Sequence, residues 1–214
     1  SRGKSELINA IFFADYGRRI MPASAGRTTM CPTELGYDAN VAPSLRLLPI
    51  ETRLQMQSLA EWRVKADRWH EIPLDVGNAD QIAKALEKVA EVRKVSLDNA
   101  RALGFWHDDL TDENPVPDAQ GMVEVPMWRH AIINIPHPLL KQGLVILDTP
   151  GLNAVGAEPE LTVNLIPQAH AVVFILSADT GVTRSDLSIW RERLAIPPEG
   201  VAARLVVLNK IATL

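Results

Sequence analysis

Apolar positions along the chain change their period several times, and each change marks an element. Leu7, Ile8, Ile11 and Phe12 recur at helical spacing, which predicts a helix within residues 1–14. Residues 15–33 lose that pattern and are punctuated by Gly17, Pro22, Gly26 and Pro32, as a loop is. Strands are expected around Glu34–Asn40 and Leu45–Ile50, separated by Pro43. From about 51 to 103 the period turns helical again. Leu59, Trp62, Ala66 and Trp69 share one helical face, and Ile82, Leu86, Val89, Val92 and Val95 share another, with Gly104 as the stop. Residues 107–121 read as an acidic surface loop whose Asp108, Asp109, Asp112 and Glu113 are solvated charge rather than a cation site.

After the loop come β signals. Met122–Val125 and Ala131–Ile135 are short β-rich runs. Leu144–Leu147, Ala171–Leu176 and Leu205–Leu208 are uninterrupted apolar runs, which suit strands buried on both faces of a parallel sheet. Helices are expected at about 159–167 and 184–194, between those runs. The alternation is that of a doubly wound α/β fold: a mostly parallel sheet flanked by helices, with a helical insertion over 51–103. The 214 residues, 47% hydrophobic and 22% charged, suffice for one such domain with a sizeable core. A net charge of −4 supports neither a general grip on nucleic acid nor a polybasic membrane anchor. The single cysteine, Cys31, excludes an internal disulfide framework, fits a reducing compartment, and reads as a small filler residue. No apolar run approaches the ~18 residues of a membrane-spanning helix.

Candidate chemistry sits at the element ends. Arg2-Gly3-Lys4-Ser5 opens the first helix. A glycine lets backbone wrap a phosphate, the lysine neutralises β/γ oxygens, a serine hydroxyl suits Mg²⁺, and the helix N-terminus adds its dipole. Alone, the triplet also reads as a chance start to a helix. Asp148-Thr149-Pro150-Gly151 directly follows Leu-Val-Ile-Leu. An aspartate at a strand end can hold Mg²⁺ through water, and the glycine amide can sense a γ-phosphate; a plain turn after a strand is the bland alternative. Asn209-Lys210 follows Leu-Val-Val-Leu, where a base-binding pair would sit, and Ala212 stands where a guanine-reading aspartate would accept two hydrogen bonds. Thr28 and Thr29 lie in a Gly/Pro-flanked loop, where a threonine can reach Mg²⁺ and a γ-phosphate. His70, His107, His130, His137 and His170 lack metal-ligand spacing. Trp62 and Trp69 read as core.

In the order Gly-Lys-Ser, Thr, Asp-Thr-Pro-Gly, Asn-Lys, the chain resembles a translation-factor-class GTPase. Ser1 to Ala10 and Gly26 to Pro32 are similar to the phosphate loop and first switch of the dynamin superfamily, specifically of bacterial dynamin-like proteins. Thr29 and Asp148 stand 119 positions apart, which implies an enlarged GTPase domain. The resemblance implies a P-loop GTPase fold (one partial domain over 1–214, cut short at both ends), guanine-nucleotide binding, Mg²⁺, and slow hydrolysis stimulated by homodimerisation across the nucleotide face. It implies a cytoplasmic protein, peripheral at the inner membrane, that remodels membranes through regions outside this chain; no nucleic-acid partner is expected. Residue by residue, it assigns Lys4 to the β/γ-phosphates, Ser5, Thr29 and Asp148 to Mg²⁺, Gly151 to the γ-phosphate, and Asn209 and Lys210 to the base. Arg2 and Gly3 complete the phosphate loop, and Ser1 falls where dynamins orient the attacking water, so Ser1, Lys4 and Thr29 are the catalytic set. Leu152 occupies the place of a catalytic glutamine and cannot position water. Arg2 or Arg27 is the candidate for neutralising transition-state charge. Two other readings stay open: a nucleotide-binding scaffold or pseudo-GTPase with loosened base recognition, and a ribosome-assembly GTPase.

Overall fold

The computed structural model describes residues 3–22, 31–109, 114–149, 158, 169–178, 182, 187, 190–191 and 203–209. In chain order the elements are α1 (Lys4–Phe12), β1 (Thr33–Gly36), β2 (Ser44–Pro49), α2 (Leu59–Arg63), β3 (His70–Pro73), α3 (Ala79–Glu87), β4 (Val92–Ser96), α4 (Leu97–Ala102), β5 (Met122–Pro126), β6 (Trp128–Asn134), α5 (Pro138–Lys141), β7 (Ile146–Asp148), β8 (Ala171–Ser177) and β9 (Ala203–Asn209). The helices expected at 159–167 and 184–194 fall mostly outside the described residues.

Five strands form one sheet in the order β3-β2-β6-β1-β7. Only β1 and β6 run parallel in it; β2 is antiparallel to both β3 and β6, and β7 is antiparallel to β1. β4 and β5 make an antiparallel pair, and β8 and β9 a parallel one. The α/β class of the expectation holds, but a mostly parallel sheet does not describe these strands. Apolar runs report burial, not direction. β6 is buried at nearly every position yet has an antiparallel neighbour in β2.

Strand alternation sorts the five-stranded sheet into two faces. Leu35, Leu45, Leu47, Ala131, Ile133 and Ile146 point to one face, where they pack with Ile8 and Phe12 of α1, Ile82 and Leu86 of α3, and Leu140 of α5. Leu48, Ile132 and Leu147 point to the other, against Leu59 and Trp62 of α2 and Trp69. A separate cluster of Ile50, Val95, Ala100, Leu103, Phe105, Val123 and Val125 joins the β4–β5 pair to α4.

The segment 51–103 is not the helical hairpin expected from its period. α2 ends at Arg63, a 3₁₀ turn follows at Ala66–Arg68, and the chain is then extended through β3. Trp69 still joins Trp62 in one cluster, its indole N–H donating to the Trp62 carbonyl at 2.8 Å. Val92 and Val95, which continue the apolar stripe of α3, belong to β4 and pair with β5. Gly104 does terminate a helix, α4, in the left-handed conformation with φ +79°. Among the described residues no helix is long and apolar enough to cross a membrane.

Candidate functional site

α1 begins without a side-chain cap. Its N-cap is Gly3 at φ +88°, a conformation that glycine adopts without strain. The turn leaves the first amides of a nine-residue helix without a capping side chain, which is the arrangement that favours an anion. Ser5 is buried within that first turn, and Lys4 is half-buried beside it. Asn9, one turn further on, is buried and holds the chain that returns from the helix. It accepts from the Ile20 and Met21 amides at 2.9 and 2.7 Å and donates to the Met21 carbonyl at 3.1 Å.

β7 brings the second motif to the same place. Its register sets Asp148 opposite Thr33 of β1, and Ile146, two positions back, points toward α1. Asp148 therefore lies on the α1 face. The Lys4 Nζ donates to the Thr149 carbonyl at 2.6 Å. Burial pushes the Asp148 carboxyl above its ordinary value, and the charge of Lys4 opposes that shift. The C-terminal end of β9 supplies the third contact. A Cβ on Gly3 would collide with the side-chain amide of Asn209, so only glycine lets the two approach this closely.

Three motifs remote in sequence thus converge: Gly3, Lys4 and Ser5 from α1, Asp148 and Thr149 from β7, and Asn209 from β9. Ser1, Arg2, Thr29, Gly151, Lys210 and Ala212 lie outside the described residues, as do Arg27 and Leu152. The Ser5 hydroxyl and the Asp148 carboxylate are hard oxygen donors, and a partly buried carboxylate raised by desolvation is one a cation would relieve. This donor set fits Mg²⁺. Among the described residues no group of three His, Cys, Asp or Glu side chains could hold a metal unaided. Magnesium usually completes its shell with water and substrate phosphate. Cys31 is buried in the main core, and burial pushes its thiol up to about 12, so it fills space and is unreactive.

Two clusters escaped the sequence reading. Glu34, on the sheet face opposite α1, is paired with Arg63, one of whose nitrogens donates at 3.2 Å. Arg53, Arg129 and Glu158 form a buried ion cluster. The signal for the second was a charged residue inside the apolar run of β6, but nothing local names its partners.

A family model described as the Dynamin family matches residues 1–211. Over 54 residues the chain is 35% identical to the bacterial dynamin-like protein of Nostoc punctiforme, covering 25% of this chain and 8% of that protein. Over 96 residues it is 32% identical to the isoniazid-induced protein IniA of Mycobacterium tuberculosis, covering 44% of this chain and 14% of that one. It is 40% identical over 58 residues to an FZO-like transmembrane GTPase of the chloroplast from Arabidopsis thaliana, covering 27% of this chain and 6% of that protein. The matched segments thus span between 6% and 14% of these relatives' lengths.

Proposed function

The chain belongs to the dynamin family of GTPases, and from that premise we propose that it is the guanine-nucleotide switch of a larger protein that binds and hydrolyses GTP to remodel membranes. The observation that carries the reading is the convergence of Lys4, Thr149 and Asn209 on the uncapped start of α1. The first-turn amides and Lys4 receive the β/γ-phosphates, and Gly3 lets the backbone curl around them. Asn209 braces that turn and, with Lys210, supports the base. Ser5, Asp148 and Thr29 would hold Mg²⁺, which when bound neutralises charge on the phosphate oxygens.

Hydrolysis is in-line attack of water on the γ-phosphorus, with the β-phosphate oxygen as leaving group. Lys4 stabilises the charge that builds on the bridging and β oxygens. Ser1 orients the water and Gly151 reports the γ-phosphate. The Leu152 side chain has no polar atom with which to hold water, so that role falls to Ser1 of the phosphate loop together with a second copy facing the nucleotide. We place the protein in the cytoplasm, peripheral to the membrane on which it acts.

Ala212 favours a second reading, a binding scaffold with weakened base selection, because a methyl group cannot accept guanine's two N–H donors. A fluorescence titration of the full-length protein with labelled GDP, XDP and ADP in Mg²⁺ separates the two. Micromolar GDP binding (on the order of −8 kcal/mol) with ADP excluded supports the GTPase reading. Equal weak binding of all three moves the scaffold ahead. Lys4→Met should weaken GDP binding roughly 10- to 100-fold, as expected for losing a charge-assisted contact.

A further inference from the structure

We propose that Glu158 is a positioning residue: clamped between Arg53 and Arg129, it anchors the far end of the chain that leaves Asp148, and so ties the region 51–103 to the nucleotide site. The inference rests on the proposed hydrolysis cycle and goes beyond it.

The geometry is that of a closed ion cluster. Arg129, on β6, grips the carboxylate with both prongs, Nε to Oε2 at 3.2 Å and Nη2 to Oε1 at 3.2 Å. Arg53, from the 3₁₀ turn Ile50–Leu54, adds its Nε to Oε2 at 3.1 Å. The Nη1 of each arginine finds a carbonyl. Arg129 Nη1 reaches Thr52 at 3.1 Å, and Arg53 Nη1 reaches Leu103 at 3.1 Å. The Arg53 guanidinium also lies 4.6 Å from the Phe105 ring centre. The side chains of Arg53, Arg129 and Glu158 are 9%, 5% and 1% exposed, so water cannot take over if one contact breaks. An exposed pair would be a weak tether; a buried one with two cations on one anion resists opening, because opening strands buried charge.

What Glu158 joins gives the cluster its role. It stands ten positions beyond Asp148, and among the described residues its ion-pair partners are Arg53, within 51–103, and Arg129 of β6. Asp148 is fixed in β7, and its neighbour Thr149 is bonded to Lys4. Asp148 and Glu158 are thus each held in place, one beside Lys4 and one in the cluster. A response to the γ-phosphate that reaches Glu158 passes to Arg53 and Arg129, and from them to Leu103 and Thr52. A merely stabilising ion cluster would raise the melting temperature and do nothing else.

The test uses the full-length protein and its Glu158→Gln and Arg53→Lys variants. Thermal melts establish folding. Steady-state GTP turnover gives kcat and KM. Amide exchange of peptides covering 50–57 and 101–106 is compared between GDP and a non-hydrolysable GTP analogue. We expect a nucleotide-dependent exchange difference at those peptides in the native protein and its loss in Glu158→Gln. That variant should also lose about tenfold in kcat, in the range of ordinary coupling energies, with KM within about twofold. Arg53→Lys keeps the charge but loses the fork, and should fall less. A folded Glu158→Gln with native kcat, or a native protein without the exchange difference, overturns the proposal. If Glu158→Gln fails to fold, native kcat and exchange in Arg53→Lys overturn it equally. A native protein that shows the exchange difference but no turnover sinks the hydrolysis reading and leaves the coupling standing.

Discussion

At the scale of the residue, the site and its surroundings show how burial sets the strength of a charge. Lys4 and Asp148 are part-buried groups whose interaction depends on desolvation, whereas Lys94, which pairs with Asp118, is more than half exposed, and such a surface pair is worth little. Glu34 lies between these cases. Burial pushes its carboxyl up, but His130 and the Arg63 guanidinium outweigh burial and hold it at about 2. The His130 Nε2 stands 3.9 Å away, an electrostatic rather than a hydrogen-bonding distance, so the bonded partner of Glu34 is Arg63. A carboxyl depressed in the folded state contributes stability that is full above its unfolded value near 4.5 and is lost as pH falls toward about 2. Glu34→Gln should therefore be less stable than native at pH 7 by on the order of 2–3 kcal/mol. The gap should close between pH 4.5 and about 2. Denaturant melts of both proteins from pH 7 to 2 check this; stability curves that stay parallel throughout would show that Glu34 contributes nothing through its charge.

At the scale of the element, local sequence decides helix starts and tertiary contacts decide the rest. α3 starts at Asn78, whose side chain accepts from the Gln81 amide at 3.0 Å, and its inner stripe of Ile82 and Leu86 is fully buried. Asn78→Ala should cost about 1 kcal/mol and lower the melting temperature by about 2–4 °C. A melt indistinguishable from native would mean that the cap is idle. The same split explains what could be read from the sequence. β2, β8 and β9 were legible because a dense apolar run announces itself whatever its neighbours. β3 was not, since His70, Glu71 and Pro73 of this edge strand are exposed and its single apolar residue gives no alternation. β4 was read as helix because Val92 and Val95 fall three apart, in step with the stripe of α3. Their β-branched side chains instead suit the pairing that β5 offers, which only the folded chain supplies. The phosphate-loop and Asp148 motifs stand out in the sequence because each is a run of adjacent residues. The Arg53–Glu158–Arg129 cluster does not, because its partners lie 105 and 29 positions apart and no local pattern joins them.

At the scale of the whole molecule, the proposed nucleotide site is assembled from the ends of α1, β7 and β9. Binding therefore draws on both the five-stranded sheet and the β8–β9 pair, and nucleotide should stabilise the protein by mass action. The same construction bears on turnover. In the proposed site Lys4, Ser5 and Asp148 offer charge and oxygen donors, but none has a side-chain amide to orient water, and neither has Leu152. If a second copy completes the site, turnover per protomer must depend on how much of the protein is paired. Phosphate release measured over about two decades of protein concentration should rise steeply at the dilute end and level off once pairing saturates. Salt that weakens association should shift that curve to higher concentration without lowering its plateau. A specific activity that is flat from the lowest concentration would mean that one chain carries every catalytic group. Ser1, Arg2 and Arg27 would then be the residues to replace first, because each stands in the phosphate-loop or switch motif with a polar side chain that the proposed Mg²⁺ set does not use.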